Sequence, residues 1–320
     1  MITIMDKLGH KEGEVMQHSM VTKSIENAQK KVEENNFAMR KRLLEYDDVM
    51  NIQREAIYKK RDHALEGYRL SVDLDYMFRS TLQHIVHKNK ATGSYPEFVN
   101  DSIMLLGFEP EMRDADFLQS REQEVLARFE DEFYNFYKKK EEAISNLLLP
   151  GIERIKREHG DHYKRIAIPY EDGINEPVPI AAEIDEALRT KGTSIMRDIE
   201  KSIALSILDS NWKEHLRNTD ELKDSVQAAT FEQKDPLVIY KMEAYKLFEN
   251  LVYKMNEEIT SYLTKGKVMI AVETEMQEAK TQKADLSKVR TNKQEENARR
   301  AAESAGRAEP QAVQTIRNSG

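Results

Sequence analysis

Two histidine pairs, two runs of adjacent acids, a lysine triplet and two isolated aromatics are the groups in this 320-residue chain whose types and spacing could do chemistry. His84 and His87 lie three residues apart, and His159 and His162 repeat the spacing. Zinc takes three or four ligands, and neither pair has a convergent carboxylate or a cysteine beside it, so both read as surface histidines. Glu33-Glu34 and Asp47-Asp48 are neighbours on a helical stretch, where consecutive side chains diverge by about 100° and cannot share a proton. Lys138, Lys139 and Lys140 could meet phosphate, but Glu141 and Glu142 follow at once and blunt the field. Both acidic runs and the triplet therefore read as solvated helix faces. The phosphate cradle GxxxxGK(S/T), the dinucleotide fingerprint GxGxxG and the nucleophile elbow GxSxG are all missing. The expectation is that this chain carries no catalytic residue and holds no cofactor or metal.

The aromatics are more informative. Trp212, the only tryptophan, sits at helical spacing from Leu208 and Leu216 and reads as an interface residue rather than a ligand platform. Phe231 stands among Ala228, Ala229, Thr230, Glu232, Gln233 and Lys234, in a short connection between two apolar-striped helices. An aromatic there either packs back on its own hairpin or meets another chain.

Composition narrows the classes. A third of the residues are charged, the net charge is −8 and there is no cysteine. Disulfides and thiolate metal sites are excluded, a reducing interior fits, and an acidic chain has no general attraction for nucleic acid. Residues 1–10 lack the basic start and apolar run of a secretory signal, and no window approaches the roughly 18 apolar residues of a membrane span.

The elements that must position these groups are outlined by glycine and proline. Neither occurs between Gly13 and Gly67, where Val21, Ile25, Ala28, Val32, Met39, Leu43, Tyr46, Met50 and Ile57 stripe one helical face. An unbroken helix there would reach about 80 Å and act as a strut. Shorter helical stretches follow, over about 72–87 and through Val99, Ile103 and Leu106. A longer one, about 117–149, carries Leu126, Phe129, Phe133, Phe136 and Tyr137 and ends at Pro150-Gly151. Alternation from Tyr163 to Ile168, a turn at Asp172-Gly173, and Val178 with Ile180 predict a two-stranded hairpin.

Between Thr193 and Lys265 the one punctuation mark is Pro236, with Asp235 ahead of it as an N-cap. It divides two helices. The first carries Ile195, Ile199, Ile203, Leu208, Trp212, Leu216, Leu222 and Val226, and the second Tyr245, Phe248, Val252, Met255, Ile259 and Tyr262. An antiparallel hairpin is predicted, packed through Trp212, Leu216, Tyr245 and Phe248, with 229–234 at its tip. After Gly266 a brief extended or helical run from Val268 to Val272 gives way to a tether poor in apolar residues.

These residues have a family likeness. LDSNWKEHL from Leu208 to Leu216, FEQKDP from Phe231 to Pro236 and YKMEAYKLF from Tyr240 to Phe248 closely resemble the two-helix finger of the SecA family, the bacterial preprotein translocase motors. LGHKEGE from Leu8 to Glu14, AQKKVE from Ala28 to Glu33, RLLEYDDV from Arg42 to Val49, and the pairs Gln53-Arg54 and Ile57-Tyr58 are similar to the start of the family's helical scaffold. The resemblance covers roughly residues 5–270.

It implies a mainly α fold: a very long scaffold helix in 1–67, a small helical wing with a short β-hairpin in 68–193, the two-helix finger in 194–265, and a disordered C-terminal linker in 266–320. It further implies a C-terminal part of a protein-export motor on the cytoplasmic face of the bacterial inner membrane, touching the membrane only through its channel. The partners implied are the SecYEG channel, an unfolded preprotein and N-terminal motor domains that bind ATP and magnesium, with channel and preprotein contact at Ala229, Thr230, Phe231, Glu232, Gln233 and Lys234. ATP hydrolysis by this chain alone is not expected. Two departures stand out: the cysteine-rich zinc tail is absent, and Phe231 replaces the tyrosine of many relatives, keeping the ring and losing the hydroxyl. The alternative is a helical scaffold protein unrelated to a motor.

Overall fold

The longest stretch without glycine or proline becomes the longest helix. The computed structural model describes residues 19–160, 162–227 and 235–269, with backbone only at Ser19, Val21 and Gln227. Helix α1, Ser19–Glu66, has 48 residues and so spans about 72 Å. It ends where Gly67 turns to a positive φ of 71°. Helices α2 (Leu70–Thr92), α3 (Tyr95–Leu106), α4 (Asp114–Gln119) and α5 (Glu122–His159) follow, then strands β1 (Arg165–Glu171) and β2 (Val178–Glu183), helix α6 (Ile184–Arg189), and the long pair α7 (Thr193–Gln227) and α8 (Pro236–Lys265). The mainly α fold is the one the sequence predicts.

Helix α5 does not stop at Pro150 but runs through it to His159. A proline inside a helix costs about 3 kcal/mol, because it lacks the N–H that would reach back one turn. Beyond it Ile152 and Ile155 are buried, each contributing about 1.5–3 kcal/mol, so continuing the helix outweighs breaking it.

The sheet is larger than a hairpin. β1 and β2 pair antiparallel from Arg165 opposite Glu183 to Tyr170 opposite Val178, and β1 pairs on its other side with β3, Lys267–Val268. The order is β2-β1-β3. Asp172 shapes the β1–β2 turn by accepting the N–H groups of Ile174 and Asn175 at 3.0 and 2.8 Å. Two residues placed with the linker by sequence thus belong to the sheet.

Rings fill the core. Phe78 of α2 meets Phe133 and Tyr137 of α5 at 5.2 and 5.1 Å, and Phe98 of α3 meets Phe117 and Phe129 at 4.7 and 4.9 Å. The same buried cluster continues without a break through Ile168 and Ile180 of the sheet, Ile199, Ile203 and Leu208 of α7, and Met255 and Ile259 of α8.

At the C-terminal end of α8 the chain is held from several sides. Tyr170 Oη donates to the Leu263 carbonyl at 3.0 Å, and Lys140 Nζ donates to the carbonyls of Thr264 and Gly266 at 2.6 and 2.5 Å. A Cβ at Gly266 would lie 2.3 Å from the Tyr170 ring, so only glycine allows this approach. Lys140 is therefore no solvated member of its triplet. Burial first, then the Lys267 ammonium, push its pKa down to about 7, while the electronegative end of α8 works the other way by favouring the ammonium.

Candidate functional site

The α7/α8 hairpin lies along the C-terminal half of α1, with α7 antiparallel to α1 and α8 parallel to it. Four levels of contact mark the alignment. Arg61 of α1 donates to both carboxylate oxygens of Asp209 at 3.0 and 3.4 Å. One turn along, the Tyr58 ring meets the edge of Trp212 at 6.5 Å. At the next level Gln53 bridges both finger helices: its Oε1 lies 2.8 Å from His215 Nε2, and its Nε2 donates to the Ala244 carbonyl at 3.1 Å. Farthest toward the tip, Tyr46 meets Tyr240 at 4.7 Å, with Lys223 Nζ 5.8 Å above the Tyr46 ring.

The Gln53 level separates two apolar regions. On one side lies the continuous core; on the other, a small cluster of Val226, Tyr240 and Ala244 backed by Tyr46, Val49, Leu222 and Ile239. Gln53, His215 and Thr219 are all buried between them. Because the Gln53 amide nitrogen donates to Ala244, its oxygen faces His215, and the imidazole must offer an N–H from Nε2. Burial lowers the His215 pKa, which keeps the ring neutral and suited to that role. Thr219 Oγ1 donates to the His215 carbonyl at 2.7 Å, closing the layer.

Within the hairpin, Asn211 Nδ2 donates to Glu258 Oε2 at 2.5 Å, and Lys254 pairs with Glu214 at 2.7 Å. Each polar residue of LDSNWKEHL that makes one of these contacts joins α7 to another helix: Asp209 and His215 to α1, Asn211 and Glu214 to α8. At the start of α8, Asp235 Oδ1 accepts the Leu237 N–H at 3.0 Å, the N-cap expected ahead of Pro236.

The residues predicted to pack the finger are only partly brought together. Trp212 is buried, Leu216 and Phe248 are half-buried, and Phe248 lies 5.8 Å from the His215 ring. Tyr245 is 62% exposed and does not pack. The apolar spacing assigned it the inward face, but the buried row of α8 runs Tyr240, Ala244, Leu251, Met255, and Tyr245 lies about 100° round from Ala244. Ala244 was missed because a small side chain gives little apolar signal; its smallness lets Gln53 reach the backbone. The tip residues Ala229, Thr230, Phe231, Glu232, Gln233 and Lys234 lie outside the described residues.

Of the predicted α1 stripe, Ile57 is 1% exposed and Tyr46 and Met50 are half-buried, while Ile25 is 52% and Met39 65% exposed, with Val32 and Leu43 between those values. The sequence period placed all of them on one helical face of a strut and did not say which part of it a partner covers. Among the described residues, no group of three His, Asp or Glu side chains converges as a metal site, and no helix is long and apolar enough to cross a membrane. His87 instead meets Glu122 at 3.1 Å, and His159 and His162 flank the Tyr163 ring at 5.2 and 4.8 Å.

The profile described as SecA Wing and Scaffold domain matches residues 15–267. The chain belongs to the SecA wing and scaffold family. Proteins named protein translocase subunit SecA are similar over most of its length: one from Flavobacterium psychrophilum is 46% identical over 263 residues, covering 82% of this chain and 24% of the relative. Those from Christiangramia forsetii and Bacteroides fragilis are 41% and 39% identical, covering 98% and 92% of this chain and 28% and 27% of the relatives. The chain spans about a quarter of the length of these SecA proteins. An unrelated helical scaffold, the alternative reading, is not favoured.

Proposed function

We propose that this chain is the scaffold, wing and finger of a protein-export motor, and that the α7/α8 hairpin holds residues 229–234 against a polypeptide in transit at the SecYEG channel. The observation that supports the reading is the joint at Gln53. A probe that pushes on a client must not slide along its support, and one glutamine bonded to both finger helices sets their axial position on α1. On this reading ATP and magnesium are bound by N-terminal domains of the complete motor rather than by this chain. Those domains sit on the exposed row Ile25, Val32, Met39 and Leu43, since a contiguous bare apolar row on a helix marks an interaction surface. The complex works at the cytoplasmic face of the inner membrane, which it meets peripherally. The domain division is 1–67 and 194–265 for scaffold and finger, 68–193 for the wing, and 266–320 for the linker, less the two residues of β3.

An aromatic at the tip suits such a task, because burial of a ring is non-directional and grips any client sequence. The test is Phe231→Gly in a complete motor carrying this region. Preprotein transport is expected to fall at least several-fold with basal ATPase unchanged and the fold intact by circular dichroism. Unchanged transport would remove the tip from the mechanism.

A further inference from the structure

An open groove of about 820 Å³ lies on the wing, between the outer face of α5 and the segment from Thr264 to Val268. Its floor is apolar, made by Phe136, Ile144, Leu147 and Val268, and Leu147 is 52% exposed. Its polar lining is dominated by four lysines, Lys139, Lys140, Lys265 and Lys267, against a single acid, Asp172. That excess is the reverse of the chain's net charge of −8.

Two of the lysines are structural: Lys140 caps α8, and Lys265 donates to the Met104 carbonyl at 2.9 Å. Lys139 and Lys267 are exposed and make no ion pair among the described residues. Glu171, the cross-strand neighbour of Lys267, does not pair with it either. The wall that contains Lys267 and Val268 is β3, which among the described residues is an edge strand of the sheet, paired on one side only, with β1. Unpaired strand edges accept a further extended segment, with main-chain bonds supplying affinity and alternate side chains supplying specificity.

We propose that this groove docks an extended protein segment in which apolar and acidic residues alternate, its apolar side chains on the α5 floor and its carboxylates at Lys139 and Lys267. Charge complementarity selects the acidic character, and a strand edge beside an apolar floor selects an extended polypeptide over a flat bilayer surface. The surface is separate from the finger joint and does not depend on the function proposed above.

A blocked, fluorescent hexapeptide of alternating leucine and glutamate, titrated against the full chain by anisotropy, tests the assignment. Saturable binding is expected, weakened at least ten-fold by Lys139→Glu with Lys267→Glu and at least five-fold by Leu147→Asp. All three positions are at the surface, so helix content and Tm should stay unchanged. A leucine–lysine hexapeptide should not bind. Any of these outcomes would overturn the proposal: no saturable binding, indifference to the charge reversals, equal binding of hexaglutamate, or preferential capture by phosphatidylglycerol vesicles. Self-association of the chain that the same substitutions abolish would assign the groove to a second copy instead, and would likewise overturn it.

Discussion

Residues 23–44 and 46–64 of α1 belong to one unbroken helix and carry the same apolar period, yet the first stretch is bare and the second is sealed by two other helices. The difference lies in what each half meets. Helical spacing specifies that a face exists; it carries no information about whether a partner stands opposite. Along the sealed half, contacts alternate between apolar and polar levels, and among the described residues the polar one at Gln53 is the only one that touches both finger helices by hydrogen bonds.

Truncation breaks the comparison most sharply. Ile57→Ala removes a fully buried side chain at the seam of α1 and the main core and is expected to cost about 2–5 kcal/mol in urea unfolding. Ile25→Ala on the bare half should cost under about 0.5 kcal/mol. Equal costs would mean that the bare half is covered in solution.

Next comes the polar level. Gln53→Leu leaves the Ala244 carbonyl and the His215 N–H without their partner, an expected loss of about 1–3 kcal/mol. Adding His215→Leu removes one of the stranded groups, so the double variant should lose clearly less than the sum of the two singles. Strict additivity would show that the layer is not one network.

The last effect concerns pH. Glu200, on α7, accepts a hydrogen bond from Tyr137 Oη at 2.9 Å inside the core, and burial raises its pKa from 4.5 to about 7. A raised acid is stabilising while protonated. Its contribution is therefore full below about pH 4.5 and is lost as pH climbs to 7, because the folded state holds the proton longer than the unfolded one. Glu200→Gln should remove that decline, making the variant gain on the parent by about 2–3 kcal/mol between pH 4.5 and 7. His215 acts in the opposite sense: its lowered pKa gives stability that is present above about pH 6.5 and lost in acid. The comparison is accordingly made as a difference between parent and variant.

Much of the architecture was legible in the residues. Glycine and proline marked the C-terminal end of α1, the start of α7 and both ends of α8 because each ends or starts a helix for a local reason, such as a positive φ at Gly67 and a missing N–H at Pro236 where none is needed. Local rules failed where a distant partner intervened. Pro150 read as a stop, but buried isoleucines on the far side carried α5 past it. Lys140 read as solvated, yet the end of α8, more than a hundred residues away, supplies its acceptors. Lys267–Val268 became a strand because β1 offered an edge.

By itself the sequence determined which stretches are helical and which family they resemble, since propensity, capping and motif spacing are encoded within a few turns of chain. Only tertiary structure decided that Ala244 rather than Tyr245 faces α1, that Gln53 and His215 meet across 162 positions of sequence, and that half of a uniform stripe is left bare. Each of these depends on what packs opposite a face. No local pattern contains that information.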